Sequence, residues 1–172
     1  AMNAVDQLVA TVDDALRALT GAASAARPRP RSTTPCANPL DDSARIESVR
    51  LMRVNHAGEV AAQALYSGQA LFARDLRTRT VLETAAAEER DHLAWCSERI
   101  HALGGRTSML DPFWYGGAFA LGVVSGLAGD RISLGFLAET EAQVEAHLDD
   151  HLTRLPADDN ESRAVLEQMR LD

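Results

Sequence analysis

Hydrophobic residues return every three or four positions along much of this chain, which is the spacing of one helix face. Residues 4–19 show this spacing first and predict a short amphipathic helix near the N-terminus. From residue 43 onward, five longer segments are amphipathic or wholly apolar, so we expect an all-α fold. These predicted helices run over about residues 43–73, 78–103, 113–129 and 132–155, and from 161 onward.

Residues 21–42 interrupt the helical pattern. The segment GAASAARPRPRSTTPCANPL (21–40) is rich in Ala, Pro, Arg and small polar residues, which predicts an extended linker rather than packed structure. The sequence therefore predicts three parts. These are an N-terminal amphipathic helix (1–20), a Pro/Ala-rich linker (21–42) and one helical domain (43–172) whose last helix is incomplete.

Composition and charge narrow the class of protein. Hydrophobic residues make up 46% of the 172 and aromatic residues only 5%, a mix that favours helices in a chain long enough to bury a core. The formal net charge of −8 argues against a nucleic-acid-binding protein, which would present a basic face. Cys36 and Cys96 do not resemble a disulfide pair and no secretory signal is visible, so we expect an intracellular protein.

Acidic residues on the predicted helices follow the order of a dinuclear metal site. Glu59 lies on the first long helix, and Glu89 and His92 form a Glu-x-x-His pair on the second. Two such pairs and two single glutamates make the six-ligand cage of di-iron and di-manganese four-helix bundles. On the fourth long helix the next carboxylate is Glu141 or Glu145, which share one face, and spacing does not choose between them.

Distances along the helices place these side chains at one depth. In an antiparallel hairpin that turns near residue 76, Glu59, Glu89 and His92 each lie about 20–25 Å from the turn. The same arithmetic predicts the second Glu-x-x-His pair near position 173, directly after Asp172. We therefore expect this chain to carry an incomplete ligand set and to bind metal poorly by itself.

Alternative interpretations of these residues remain open. Glu98 and His101 form another Glu-x-x-His pair, about two and a half turns beyond the first and therefore on the opposite helix face, which favours a surface position. Small apolar residues surround Glu59, so its burial would require a cation or another partner, although a surface position is the alternative. His147 and His151 are a conceivable zinc pair, but a solvated polar face is commoner.

Residues 112–129 are uncharged and unusually apolar. The run is a little shorter than the roughly 20 residues of a membrane-spanning helix. Phe113, Trp114 and Tyr115 begin it, which predicts an interfacial surface that meets lipid or a lipid-like substrate, with a buried core helix as the alternative. Gly122-x-x-x-Gly126 would permit close approach of another helix.

Four segments of the chain resemble one known family, the demethoxyubiquinone hydroxylases. The resemblance covers roughly residues 43–172. The segments are RVNHAGEVAAQALYSGQ (53–69), EERDHLAWCSERIHALGG (88–105), SMLDPFWYGGAFALG (108–122) and GDRISLGFLAETEAQVEAHLDDHLTRLP (129–156).

This resemblance implies a fold, a reaction and a location. The fold would be a ferritin-like four-helix bundle with an extra apolar membrane-facing helix, peripheral on the cytoplasmic face of the bacterial inner membrane. The reaction would be hydroxylation of a polyprenylated methoxy-methyl-benzoquinol ring by O₂ at a centre of two iron ions. Homo-oligomers and contacts with other ubiquinone-biosynthesis proteins are also expected.

The resemblance also assigns residues. It implies that Glu141, rather than Glu145, is the ligand from the fourth long helix, and that the remaining Glu-x-x-His follows Asp172. The implied iron ligands are Glu59, Glu89, His92 and Glu141. Three further residues would lie near the metal without binding it: His147, Asp91 and His56.

Two other functions compete with the hydroxylase. A ferritin-like metal-storage or oxidase protein would be a soluble bundle without an apolar surface helix. A non-catalytic bundle that binds quinone or lipid would hold no metal, and its acidic residues would be solvated. Detergent dependence separates the first alternative from the hydroxylase, and metal content separates the second. No Gly-rich nucleotide motif is present, so the electrons must come from a separate donor or from the quinol itself.

Overall fold

The computed structural model describes residues 4–20, 24–34 and 39–172. In these ranges all regular secondary structure is α-helix, which confirms the all-α prediction, and the helix ends lie within two residues of those predicted. The helices are α1 (Ala4–Thr20), α2 (Asp42–Phe72), α3 (Leu76–Ala102), α4 (Asp111–Ala128), α5 (Asp130–Arg154) and α6 (Asn160–Leu171).

Aspartates begin three of the helices. The side chains of Asp41, Asp75 and Asp159 accept hydrogen bonds from free backbone N–H groups in the first turns of α2, α3 and α6. Asp130, at the start of α5, also accepts from the backbone N–H groups of Arg74 and Asp75, at 3.0 and 2.8 Å. This partly exposed carboxylate therefore links the α2–α3 turn to the α4–α5 turn.

Four helices share the largest core. Side chains from α2, α3, α5 and α6 are buried against one another, and α1 packs elsewhere, with Ala18 against Tyr115 of α4. Apolar contact of this kind stabilises each of these amphipathic helices, because an isolated short helix is only marginally stable in water. The members of the shared core include Met52, Trp95, Cys96, Leu148 and Leu166.

Helix α4 lies very close to α2. A Cβ atom on Gly68 of α2 would lie 2.5 Å from the Phe119 carbonyl oxygen, and one on Gly122 of α4 would overlap the Leu65 carbonyl oxygen. The two backbones can therefore touch only because these positions are glycine. The alternative prediction for residues 112–129, a buried core helix, therefore holds for the face of α4 that packs against α2.

The opposite face of α4 is exposed and apolar, and large apolar side chains at the start of α5 are exposed as well. Phe113 is 76% exposed and Val124 is 64% exposed. No helix in the described ranges is both long enough and apolar enough to cross a bilayer. We call the exposed surface the apolar face and define it as Phe113, Trp114, Leu121, Val124, Leu127, Ile132, Leu134 and Phe136.

Residues 24–34, here called the N-terminal strap, have no regular structure but are packed, unlike the free linker that their composition predicts. The guanidinium of Arg27 stacks over the Trp95 ring at 4.8 Å, and the Arg27 carbonyl accepts a hydrogen bond from Trp95 Nε1 at 3.1 Å. Arg29 pairs with Glu161 at 3.1 Å. The strap packs because α3 and α6 supply an aromatic ring and carboxylates that composition alone does not reveal.

The remaining predictions for this region stay open. Residues 21–23 and Cys36 lie outside the described residues, so the three-part division of the chain remains a prediction. Cys96 is buried in the shared core as a free thiol.

Candidate metal centre

Three of the predicted ligands meet inside the bundle. Glu59 of α2 and Glu89 and His92 of α3 each offer one ligand atom, and these atoms all lie within 4.8 Å of one another. Nδ1 of His92 is 3.3 Å from a Glu89 carboxylate oxygen and 3.6 Å from one of Glu59. All three residues are at most 6% exposed, and the described residues contain no other group of three such donors.

The electrostatics of this group favour a cation. Burial lowers the pKa of His92, but hydrogen bonds to Glu59 and Glu89 and their negative charges outweigh burial and raise the pKa to about 11. Burial and the charge of Glu59 raise the pKa of Glu89 well above its usual range. Two buried carboxylates therefore need a positive charge between them, which the protonated imidazole supplies when no metal ion is bound.

Glu141 of α5 approaches the same site from across a cavity. Its carboxylate accepts a hydrogen bond of 2.7 Å from the Tyr66 hydroxyl, and Tyr66 is completely buried. Glu141 does not join the three-donor group, and both it and Glu145 line the cavity. Because Tyr66 holds Glu141 and no such bond holds Glu145, the geometry favours Glu141, which stays a predicted ligand.

Tyr66 was not identified in the sequence. It lies seven residues after Glu59 and therefore on the same face of α2, a signal that could have marked it.

Replacing Tyr66 by phenylalanine is expected to weaken iron binding about tenfold, because Glu141 loses the group that orients it. Tyr115→Phe is the matched control, since Tyr115 is also buried but its hydroxyl has no hydrogen-bond partner among the described residues. Iron affinity of both variants tests this, measured beside their thermal unfolding in a chain that continues past Asp172 through the expected second Glu-x-x-His. Equal affinities in the two variants would show that Tyr66 does not position Glu141.

The cavity beside the three-donor group has a volume of about 730 Å³. It lies between α3, α5 and the end of α6, and its size is typical of small-molecule sites. Its wall combines the acidic cluster with apolar side chains. These include Leu137, Val144, Leu148 and Met169.

The outer nitrogen of His92 also has a partner. Nε2 of His92 lies 3.0 Å from the Asp172 carboxylate, which in turn pairs with Arg27 at 2.9 Å. Burial raises the pKa of Asp172, but hydrogen bonds from Arg27 and His92 outweigh burial, and the pKa falls to about 2. Asp172 is therefore ionised, and it favours the form of His92 in which Nε2 carries a proton and Nδ1 faces the glutamates. Sequence reasoning missed both Arg27 and Asp172.

The three residues predicted near the metal occupy different places. Asp91 is buried and faces the strap, where it accepts hydrogen bonds from Ala26 N at 2.6 Å and Arg27 Nε at 2.7 Å. His56 is buried with its Nδ1 3.3 Å from a carboxylate oxygen of Asp111. His147 is exposed and its ring lies 3.9 Å from that of His151. None belongs to the three-donor group.

The competing Glu-x-x-His pair lies at the surface, as its spacing predicts. The Glu98 side chain is 62% exposed and lies 3.5 Å from Arg29 of the strap, and His101 is exposed.

Comparisons with known proteins identify the family of this chain. A family model described as "Ubiquinone biosynthesis protein COQ7" matches residues 47–172. A protein from Azoarcus sp. is 55% identical over 167 residues, which are 97% of this chain and 81% of that protein. A protein from Polynucleobacter necessarius is 50% identical over 171 residues, covering 99% of this chain and 82% of its own length.

A third relative, from Nitrosomonas europaea, is 55% identical over 168 residues, covering 98% of this chain and 80% of its own length. All three relatives carry the name 3-demethoxyubiquinol 3-hydroxylase. The resemblance seen in the sequence is confirmed, and the chain belongs to the COQ7 family of ubiquinone biosynthesis proteins.

Proposed function

We propose that this protein is an O₂-dependent hydroxylase of the quinol ring of a polyprenylated demethoxyubiquinol. The observation that carries the proposal is the buried Glu59–Glu89–His92 group, which borders a cavity large enough for an aromatic ring. The names of its relatives support the reaction, because proteins about half identical to this chain over nearly its whole length are 3-demethoxyubiquinol 3-hydroxylases. The names of the relatives also favour the hydroxylase over a metal-storage protein.

The donor set fits a pair of iron ions. Carboxylates and imidazole are ligands that suit ferrous iron, and the buried negative charge of Glu59 and Glu89 calls for cations. When bound, two irons supply the oxygen chemistry, while the protein supplies geometry and a pocket shielded from water. The proposed ligands in this chain are Glu59, Glu89, His92 and Glu141, with the second Glu-x-x-His expected after Asp172.

Each residue around the site then has a physical task. His92 would give up the proton on Nδ1 when a metal cation, in place of that proton, supplies the positive charge between the two glutamates. Tyr66 fixes the carboxylate of Glu141 at the cavity wall. Leu137 and Val144 give the cavity apolar surface for contact with the ring. The reaction replaces a ring C–H by C–OH, reduces the second oxygen atom of O₂ to water, and consumes two electrons and two protons.

The apolar face would let the protein work at a membrane surface. A quinol with a long polyprenyl tail stays in lipid, so an enzyme that hydroxylates its ring must meet the bilayer. The apolar face offers exposed hydrophobic side chains from α4 and α5 for that contact. We propose peripheral attachment at the cytoplasmic face of the bacterial inner membrane, through α4 of a ferritin-like bundle. Self-association and contacts with other ubiquinone-biosynthesis proteins remain predictions.

Iron content and oxygen labelling test the reaction. The protein for this test is the chain extended by about ten native residues, which are expected to supply the remaining Glu-x-x-His, and the present chain is its partner control. We expect the extended chain to bind two irons and the present chain to bind none. The product should contain ¹⁸O from ¹⁸O₂. Iron without hydroxylation would favour the oxidase, and absence of iron would overturn the metal centre.

The same assay tests the apolar face. Leu121→Asp puts a charge in the apolar face, whereas Ile46→Asp puts one on α2 at similar exposure, 53% against 56% for Leu121. We expect Leu121→Asp to slow turnover of the long-tailed quinol in lipid vesicles severalfold and to leave a short-tailed soluble quinol unaffected, because only the former requires the bilayer. Equal turnover by both variants in vesicles would contradict membrane attachment through this face.

A further inference from the structure

We propose that the N-terminal strap is a positioning element of the metal centre, with Arg27 acting through Asp172 to orient His92. This inference rests on the proposed metal centre and adds a part of the chain that lies far from it in sequence. It assigns a role to a Pro/Arg-rich segment whose composition predicts only a linker.

A continuous set of contacts joins the strap to the imidazole. Arg27 places Nε 2.7 Å from the Asp91 carboxylate and Nη2 2.9 Å from the Asp172 carboxylate. Asp172 Oδ2 then lies 3.0 Å from Nε2 of His92. The side chains of Asp91 and Asp172 are only 8% and 14% exposed, whereas that of Arg27, which joins them, is 41% exposed. One guanidinium therefore bridges α3 to the end of α6, beside a proposed ligand.

The orientation of the imidazole explains why this bridge matters. A neutral histidine has one ring nitrogen with a proton and one with a lone pair, so a carboxylate at one nitrogen decides which of them can bind a cation. Asp172 accepts from Nε2 and leaves Nδ1 directed at Glu59 and Glu89. Arg27 uses its rigid, planar fork to hold Asp172 and Asp91 together, which a flexible ammonium would do less well.

The strap has other anchors that do not approach the metal centre. Arg29 is 10% exposed and lies 3.1 Å from Glu161 and 3.5 Å from Glu98. The backbone N–H of Ser32 donates to Glu161 at 3.2 Å. Arg29 therefore also joins α3 to α6, but without a contact to a proposed ligand. This pair of arginines separates a role in holding the strap from a role in orienting His92.

The test compares Arg27→Gln with Arg29→Gln in the extended chain, using Co²⁺ as the probe. Co²⁺ affinity and the visible absorption of the bound ion are measured beside thermal unfolding. We expect Arg27→Gln to weaken Co²⁺ binding about tenfold and to alter the spectrum, as loss of an outer-shell partner does. Both variants should lower the unfolding temperature to a similar extent. Arg29→Gln, however, should leave the Co²⁺ affinity and the spectrum unchanged. Arg27→Lys should recover part of the affinity.

A double variant tests the route through Asp172. If Arg27 acts through Asp172, then Arg27→Gln combined with Asp172→Asn should weaken Co²⁺ binding no more than Asp172→Asn alone. Additive losses, or equal losses in Arg27→Gln and Arg29→Gln, would overturn the inference while leaving the metal centre in place. Failure of the unmutated extended chain to bind Co²⁺ would overturn the metal centre itself and the inference with it.

Discussion

Replacing Glu89 by alanine is expected to abolish iron binding and hydroxylation, whereas Glu98→Ala leaves both intact. Both residues begin a Glu-x-x-His pair on α3, which makes them matched in sequence. Glu89 is 5% exposed and faces Glu59, while the Glu98 side chain is 62% exposed. Loss of a direct ligand should exceed the roughly 10–100-fold loss of affinity seen when an outer-shell partner is removed.

Stability separates the loss of a ligand from the loss of the fold. Burial and the charge of Glu59 raise the pKa of Glu89 more than the neighbouring His92 lowers it, so the ionised carboxylate opposes folding when no metal ion is bound. Metal-free Glu89→Ala should therefore unfold at no lower temperature than the unmutated protein. Iron analysis, turnover and calorimetry on the extended chain provide the measurements. Equal iron loss in Glu89→Ala and Glu98→Ala would show that the assignment of the inward helix face is wrong.

Gly122→Ala is expected to destabilise the protein strongly, whereas Gly117→Ala on the same helix should not. Alanine within a helix normally adds about 0.5–1 kcal/mol of stability relative to glycine. At Gly117 there is open space for the new Cβ, but at Gly122 it would overlap the carbonyl oxygen of Leu65. Since that neighbour is backbone, α4 must move away from α2, which costs about 1–3 kcal/mol and sometimes more.

The two glycine variants should therefore differ by about 1–3 kcal/mol in the free energy of unfolding, because the gain from replacing a helical glycine is common to both and the packing cost falls on Gly122→Ala alone. Urea unfolding of both measures this difference, with the slope of the transition showing whether the unfolding remains comparable. Two variants of equal stability would mean that α4 does not pack against α2 at the distance described.

Local chemistry explains how much of the fold the sequence predicts. Asp41 and Asp75 cap the helices that follow them, Gly104 takes a left-handed conformation (φ 74°) after α3, and these signals act over a few residues. The apolar periodicity of each helix also depends only on residues a few positions apart. The helix ends therefore agree with those predicted, and the family was recognisable from four segments.

The centre of the candidate site was predictable for a similar reason. A fixed rise per residue places Glu59 and Glu89 at one depth in an antiparallel hairpin, whatever the rest of the chain does. Helix rotation puts Glu89 and Glu98 on opposite faces, so only one can point inward. The side chains near Glu89 favour that pair, and they are Leu82, Ala85 and Cys96. The structure brings Glu59, Glu89 and His92 together as the arithmetic expects.

The sequence by itself thus determined the helices, the family and the three central donors, because each depends on local geometry or on motifs within one segment. Only the tertiary structure decided that Arg27 meets Asp172, that Tyr66 holds Glu141, and that one face of α4 is buried while the other is exposed. Those outcomes depend on the rotation and approach of elements far apart in the chain. Packing and the pairing of buried charges fix these, and neither is encoded in the spacing along any single helix.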